Sequence, residues 1–141
     1  MTSIPSSAED KEIIRSALVV DHRVVFQKLL DRVKRVVVLD ESGHALIVVP
    51  RERLTDPQQL ALHLVARWFA RTIEIVPTDT MSADELARAT GVPYKTVTAR
   101  IAAMKRQGWV EGDERGAYRI RYVAIEEIVN GVEARTGGGA P

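Results

Sequence analysis

The fold is decided by residues 85–110, which are ELARATGVPYKTVTARIAAMKRQGWV. Ser82, with Glu85 three residues later, matches a capping box, which predicts that a helix begins at this point. Gly91 is expected to end that helix, because glycine adopts a positive φ at little cost. Pro93 favours the start of a second helix, because its ring fixes φ near the helical value. The stretch therefore predicts two short helices joined by a tight turn.

The second of these helices has one apolar face. Its apolar residues recur at helical spacing, at Val97, Ile101 and Met104. They are expected to pack against Leu86 and Ala87 of the first helix. Ala87 is small, which lets the two helices cross in close contact. The opposite face carries Lys95, Ala99, Ala102 and Arg106, flanked by Thr98 and Ala103.

The segment after this helix pair changes to an alternating pattern. Residues 108–123, GWVEGDERGAYRIRYV, predict a strand, a turn at 112–116 and a return strand. On the return strand two sets of side chains alternate, Tyr118, Ile120 and Tyr122 against Ala117, Arg119 and Arg121. We expect Trp109 to pack this hairpin against the second helix.

Residues 55–123 resemble the winged helix-turn-helix family of bacterial and archaeal transcriptional regulators. The resemblance lies in the spacing of Ala87, Gly91, Val92, Val97, Ile101 and Met104, followed by QGWVE at 107–111. The predicted hairpin at 108–123 corresponds to the wing of that family. The N-terminal half, with ERLTDPQQLALHLVARWFA at 52–70, is also similar to uncharacterised archaeal winged-helix proteins.

The resemblance implies that Tyr94–Arg106 is a recognition helix in the major groove of double-stranded DNA, with the wing on the flanking backbone or minor groove. The residues that it implies in DNA contact are Tyr94, Lys95, Thr96, Thr98, Arg100, Lys105, Arg106, Arg115, Arg119 and Arg121. The expected function is that of a homodimeric transcriptional regulator.

Charge is distributed unevenly along the chain. The net charge is only +1, but between Tyr94 and Arg121 seven basic residues stand against three acids, a local net charge of +4. Between Tyr94 and Arg106 the sequence has no acid. This pattern is typical of an element that binds nucleic acid, although a solvated helix face can have it too.

The open helix face also favours a second function. Ala99, Ala102 and Ala103 leave it short of hydrogen-bonding side chains, and alanine can contact a thymine methyl group or let another helix approach closely. The wing tip EGDERG, at 111–116, adds acids where phosphate contacts would be expected. The alternative is therefore a winged-helix protein–protein interaction module in a larger complex, such as the transcription machinery.

The rest of the chain predicts helices at about 8–18 and in 21–35, a β-hairpin around Asp40–Gly43 and a central helix at about 56–71. TIEIV, at 72–76, is a short strand or a connector, and 77–80 a loop. The fold class is mainly α with a small β component (α+β), a winged helix-turn-helix preceded by a helical and β-hairpin extension. The expected boundaries are a flexible leader at 1–7, the extension at 8–54, the winged helix at 55–123, a C-terminal helix at 124–134 and a flexible tail at 135–141.

Two apolar surfaces raise the question of a dimer. Both predicted hairpin strands are apolar on both faces, so both faces of the hairpin need to be covered. The N-terminal helices can cover one face, and either a further element or a second copy of the chain can cover the other. The C-terminal helix has an apolar stripe at Ile125, Ile128, Val129 and Val132. That stripe either packs on the core of its own chain or forms a dimer interface.

Several functions lack the residues that they need. The chain has no cysteine, which excludes disulfides and thiolate chemistry, and no apolar run reaches the roughly 18 residues of a membrane helix. The N-terminus lacks a signal-peptide pattern, so we expect a cytoplasmic protein. His22, His44 and His63 lie on separate elements without carboxylates at ligand spacing, and Trp68 and Phe69 are expected in the core. We therefore expect no catalytic residues, metal or cofactor.

Overall fold

A computed structural model describes Ile4 and residues 7–137 of the chain. The helices in that part are α1 Ala8–Leu18, α2 His22–Val33, α3 Asp56–Thr72, α4 Ala83–Thr90, α5 Tyr94–Arg106 and α6 Ile125–Thr136. The strands are β1 Val37–Leu39, β2 Ala45–Ile47, β3 Met81–Ser82, β4 Val110–Gly112 and β5 Ala117–Ile120. Short 3₁₀ helices lie at Arg51–Arg53 and Tyr122–Ala124. The described residues are mainly helical and form two small antiparallel sheets, so the predicted α+β class is confirmed.

The chain divides into two compact units, and the boundary between Leu30 and Asp31 lies inside α2. In the first unit, α1 begins after Ser7, whose hydroxyl oxygen accepts a hydrogen bond from the Asp10 backbone N–H at 3.1 Å. None of the eleven described residues of α1 is buried. Its apolar side chains, among them Ile13 and Leu18, are exposed.

Helix α3 lies at the centre of the second unit. Thr55 and Gln58 form a capping box at its start, because Thr55 Oγ1 accepts from the Gln58 N–H at 3.2 Å and Gln58 Oε1 accepts from the Thr55 N–H at 3.0 Å. The helix contacts the β1–β2 hairpin, α4, α5, β5 and α6. Its buried residues are Gln58, Leu60, Ala61, Leu62, Leu64, Val65, Ala66 and Ala70. The predicted central helix is therefore confirmed.

The β1–β2 hairpin has one buried face and one exposed face. Its strands pair antiparallel, with Val38 opposite Leu46. Val36, Val37 and Val49 are buried, whereas Val38, Leu46 and Val48 are 39%, 50% and 38% exposed. An apolar surface therefore remains on the outer side of this hairpin.

The predicted helix pair is present as α4 and α5. Ser82 Oγ accepts from the Glu85 N–H at 3.0 Å, and Glu85 Oε1 accepts from the Ser82 N–H at 3.2 Å, which confirms the capping box. Gly91 ends α4 with a φ of 79°, in the left-handed region as expected. Leu86 of α4 is fully buried, and the apolar row of α5 is buried with it: Val97, Ile101 and Met104.

A three-stranded sheet in the order β3–β5–β4 follows the helix pair. Strand β3 was not predicted, because two residues are too few to show an alternating pattern. Thr72 is the last residue of α3, and residues 73–76 form a turn and a bend. Of the two interpretations of 72–76, the connector is therefore observed and not the strand, and Glu74 has a φ of 63°. The return strand was predicted to reach Tyr122, but it ends at Ile120, and the Tyr122 ring stacks on Trp68 at 5.0 Å.

Helix α6 packs within its own chain. It contacts α3, and its whole apolar stripe is fully buried: Ile125, Ile128, Val129 and Val132. Glu133 of α6 also forms an ion pair with Arg32 of α2, with 3.1 Å between Oε1 and Nε. Of the two interpretations of this stripe, packing on the chain's own core is therefore the one observed.

The ends of the chain differ from the expected bounds. Helix α6 continues to Thr136, so Arg135 and Thr136 are helical and do not belong to a tail. Gly137 ends the helix in the left-handed conformation, with a φ of 78°. Residues 138–141 of the predicted tail and residues 1–3 and 5–6 of the predicted leader lie outside the described residues. Ser7, at the end of that leader, caps α1. Within the described ranges, no helix combines the length and apolarity needed to cross a membrane.

Candidate nucleic-acid interface

Helix α5 presents a continuous open face. Its buried row lies against α3 and α4, so the opposite side points away from the core. The exposed residues of that side are Lys95, Thr98, Ala99, Ala102 and Arg106. Residues three, four, seven and eleven positions apart share one side of a helix, so these five form one surface about 16 Å long. We call this surface the α5 face.

The basic side chains of α5 differ in how they are held. Lys95, Arg100 and Arg106 are exposed, and their side chains form no hydrogen bond or ion pair with the part of the chain that the structure describes. Lys105 Nζ lies 5.1 Å from the centre of the Tyr118 ring, a cation–π contact that joins α5 to strand β5. The first three are therefore free to meet an outside anion, while Lys105 has a partner inside the fold.

The uncharged polar residues of α5 differ in their exposure and hydrogen bonding. Tyr94 is 56% exposed at the start of the helix, whereas Thr96 is half-buried. Thr98 is exposed, but its hydroxyl donates to the Lys95 carbonyl oxygen at 2.9 Å. The first turn of α5 is therefore accessible mainly through Tyr94 and Lys95.

An aspartate builds the turn between β4 and β5. Asp113 Oδ1 accepts backbone N–H groups from Arg115 at 2.8 Å and Ala117 at 2.9 Å. These bonds, the one from Ala117 foremost, hold the pKa of the Asp113 carboxyl below its ordinary value. One of the acids that counted against phosphate binding is thus used in the turn, and Arg115 is exposed beside it.

The two arginines predicted on β5 and just after it have internal partners. Arg119 Nε lies 3.2 Å from Asp79 Oδ1, and its guanidinium reaches Glu111 Oε1 at 3.8 Å. Arg121 donates to the Gly108 carbonyl oxygen at 3.2 Å. The structure therefore brings Lys95, Thr98 and Arg106 to the α5 face, with Tyr94 exposed at the start of the helix. Arg119 and Arg121 are held by partners next to the β3–β5–β4 sheet.

A small cavity lies where the β1–β2 turn meets α3 and α4. Its volume is about 190 Å³, and its lining includes His44, His63, Arg67 and Met81. Burial, and next the positive charge of Arg51, lower the pKa of His63 to about 4. The sequence shows that His63 and Arg67 are four residues apart on the predicted central helix, but nothing in it indicated that His44 would lie beside them. In the described ranges no group of three or more His, Asp or Glu side chains could hold a metal ion.

Comparison of the chain with family models, curated proteins and solved structures gives no significant match.

Proposed function

We propose that residues 55–123 form a winged helix-turn-helix and that the protein binds double-stranded DNA as a cytoplasmic regulator of transcription. The observation that carries this proposal is the α5 face, an acid-free surface with the unpartnered cations Lys95 and Arg106 at its two ends. Unpaired cations on a convex helix favour a polyanion, because each phosphate contact releases a condensed counterion.

The dimensions of α5 support a position in the major groove. A helix with its side chains is about 10–12 Å across, which matches the roughly 12 Å width of that groove. The first turn, with Tyr94 and Lys95, would lie deepest, and Arg115 at the tip of the wing would meet the flanking backbone. Arg100, on the flank of α5, would face the phosphates beside the groove.

A homodimer is part of the proposal. One α5 covers one half-site, and two half-sites about 34–36 Å apart are matched by a two-fold axis. The exposed outer side of the β1–β2 hairpin, with Val38, Leu46 and Val48, is the surface that supports pairing of two copies. Because the stripe of α6 is buried in its own chain, we no longer propose it as the interface.

The second candidate function is docking to another protein, without sequence-specific DNA contact. It is favoured by Ala99 and Ala102, which leave the middle of the α5 face without hydrogen-bonding groups. Docking through alanines would bury apolar surface and would depend little on ionic strength.

The experiment that separates these two functions is a salt titration. Fluorescence anisotropy of a labelled random duplex, measured with the whole protein over a range of salt concentrations, gives the slope of log K against log salt. DNA binding predicts a linear fall of affinity with a slope of about −0.9 per phosphate contacted. Absence of salt-dependent binding to random and genomic duplexes would contradict the proposal and favour docking.

A further inference from the structure

The middle of the α5 face carries methyl groups. Ala99 and Ala102 are exposed there, and each offers only a β-methyl group to an outside partner. Beside them, Thr98 donates its hydroxyl proton to the Lys95 carbonyl oxygen at 2.9 Å. A hydroxyl has one proton to donate, so Thr98 is left with its γ-methyl group and acceptor lone pairs for an outside contact. This region therefore has no free side-chain donor among the described residues.

Cations stand at both ends of this methyl surface. Lys95 in the first turn and Arg106 in the last are eleven residues apart, or about 16 Å along the helix axis. That length corresponds to about five base pairs at 3.4 Å each. On a duplex, the two cations would reach phosphates or guanines at the ends of the site, and the methyl groups would face the bases between them.

The chemistry of base edges then limits what this surface can select. Each base pair presents hydrogen-bond donors and acceptors in the major groove, and thymine alone among the unmodified bases adds a C5-methyl group there. A surface without donors cannot discriminate through the N7 and O6 acceptors. It can discriminate by apolar contact with that methyl group, and burial of one methyl group is worth about a fourfold change in affinity.

We infer that α5 selects duplexes with thymine at the centre of its site through contacts of Thr98, Ala99 and Ala102 with C5-methyl groups. Lys95 and Arg106 hold the helix in the groove from its two ends. This inference rests on the proposed DNA-binding function, and it names the class of site that the protein would choose.

The test compares duplexes that differ only in C5-methyl groups. Each duplex is about 20 base pairs long. The two duplexes of the first pair have the same A·T-rich centre, synthesised with thymine in one and with uracil in the other. The two duplexes of the second pair have the same G·C-rich centre, with 5-methylcytosine in one and cytosine in the other. Anisotropy at one fixed salt concentration gives the affinity of each. We expect the thymine duplex to bind about tenfold tighter than the uracil duplex, and the methylated cytosine duplex to bind tighter than its unmethylated counterpart.

Two variants assign the effect to α5. Ala99→Gln and Ala102→Gln replace a methyl group by a longer polar side chain on the exposed face, and both should reduce the ratio of thymine to uracil affinity toward one. Ala134→Gln, at an exposed alanine of α6, is the matched control and should keep the ratio. Thermal unfolding of all three variants checks that the fold is retained.

Each contrary result has a distinct meaning. Equal affinity for thymine and uracil duplexes, with binding that still depends on salt, overturns the inference and leaves the proposed function standing. A thymine preference that persists in both α5 variants also overturns it, since the preference would then come from the DNA or from another element. No salt-dependent binding to any duplex overturns the inference and the proposed function together.

Discussion

Single side chains decide which predicted contacts remain available. Seven basic residues lie between Tyr94 and Arg121, yet the structure leaves only Lys95, Arg100 and Arg106 of these without a side-chain partner in its described part. The sequence could not show that Asp79, forty positions before Arg119, would meet it at 3.2 Å. Helical periodicity predicts which side of α5 is open, whereas ion pairs across the fold depend on tertiary contacts.

His63 gives a prediction at this scale. Its pKa is lowered to about 4 in the folded protein, so the folded state favours neutral imidazole. The unfolded chain, with an ordinary pKa near 6.5, takes up the proton first as the pH falls. The stability that His63 contributes is therefore complete above about pH 6.5 and is lost as the pH falls toward 4.

Urea unfolding at pH 7, 6 and 5 measures this loss. His63→Gln should show a smaller fall in the free energy of unfolding over that interval than the unmodified protein. The charged or titratable neighbours Arg51, Arg67 and His44 remain in both proteins, and the difference between the two curves isolates His63. Identical pH dependence in the two proteins would show that His63 is not held neutral.

At the scale of elements, two hairpins use the same turn. Asp40 Oδ1 accepts N–H groups from Ser42 and His44 at 2.8 and 2.9 Å, as Asp113 does from Arg115 and Ala117. The sequences DESGH at 40–44 and DERGA at 113–117 share Asp, Glu and Gly at the same positions. Turn chemistry is local, which is why both hairpins could be located from the sequence.

Elements that depend on distant partners were harder to predict. Strand β3 exists because Met81 and Ser82 pair with Tyr118 and Ala117, more than thirty residues later. The helix after Ala124 could be predicted from the helical spacing of its apolar residues, but its burial against α3 could not. Local signals therefore gave the helices and turns, and tertiary packing determined the third strand and the role of α6.

The phase of α5 can be tested by a matched pair of variants. Met104 is fully buried, so Met104→Ala should leave a cavity and lower the free energy of unfolding by about 2–5 kcal/mol. Ala99→Glu lies on the exposed face and should leave thermal unfolding nearly unchanged while it blocks binding of DNA. Circular dichroism melts decide this, and unfolding of Ala99→Glu would mean that the α5 face is packed inside the protein.

At the scale of the whole molecule, the oligomeric state follows from surfaces that the chain leaves exposed. We expect light scattering at micromolar concentration to give the mass of a dimer. Val38→Glu and Leu46→Glu place charge on the exposed outer side of the hairpin and should give folded monomers. Ile128→Glu, in the buried stripe of α6, should unfold the chain, because a buried unpaired carboxylate is costly. A monomeric unmodified protein, or dimers of both hairpin variants, would contradict the hairpin interface.

The most direct test of the central claim, that the α5 face meets DNA, compares two charge-matched double variants. Lys95→Ala with Arg106→Ala removes both unpartnered cations of the face. Lys34→Ala with Arg71→Ala removes two exposed cations elsewhere and changes the net charge by the same amount. The salt slope of duplex binding should flatten by about two units in the first double variant and stay unchanged in the second. Equal slopes and affinities in both double variants would show that the α5 face does not contact DNA.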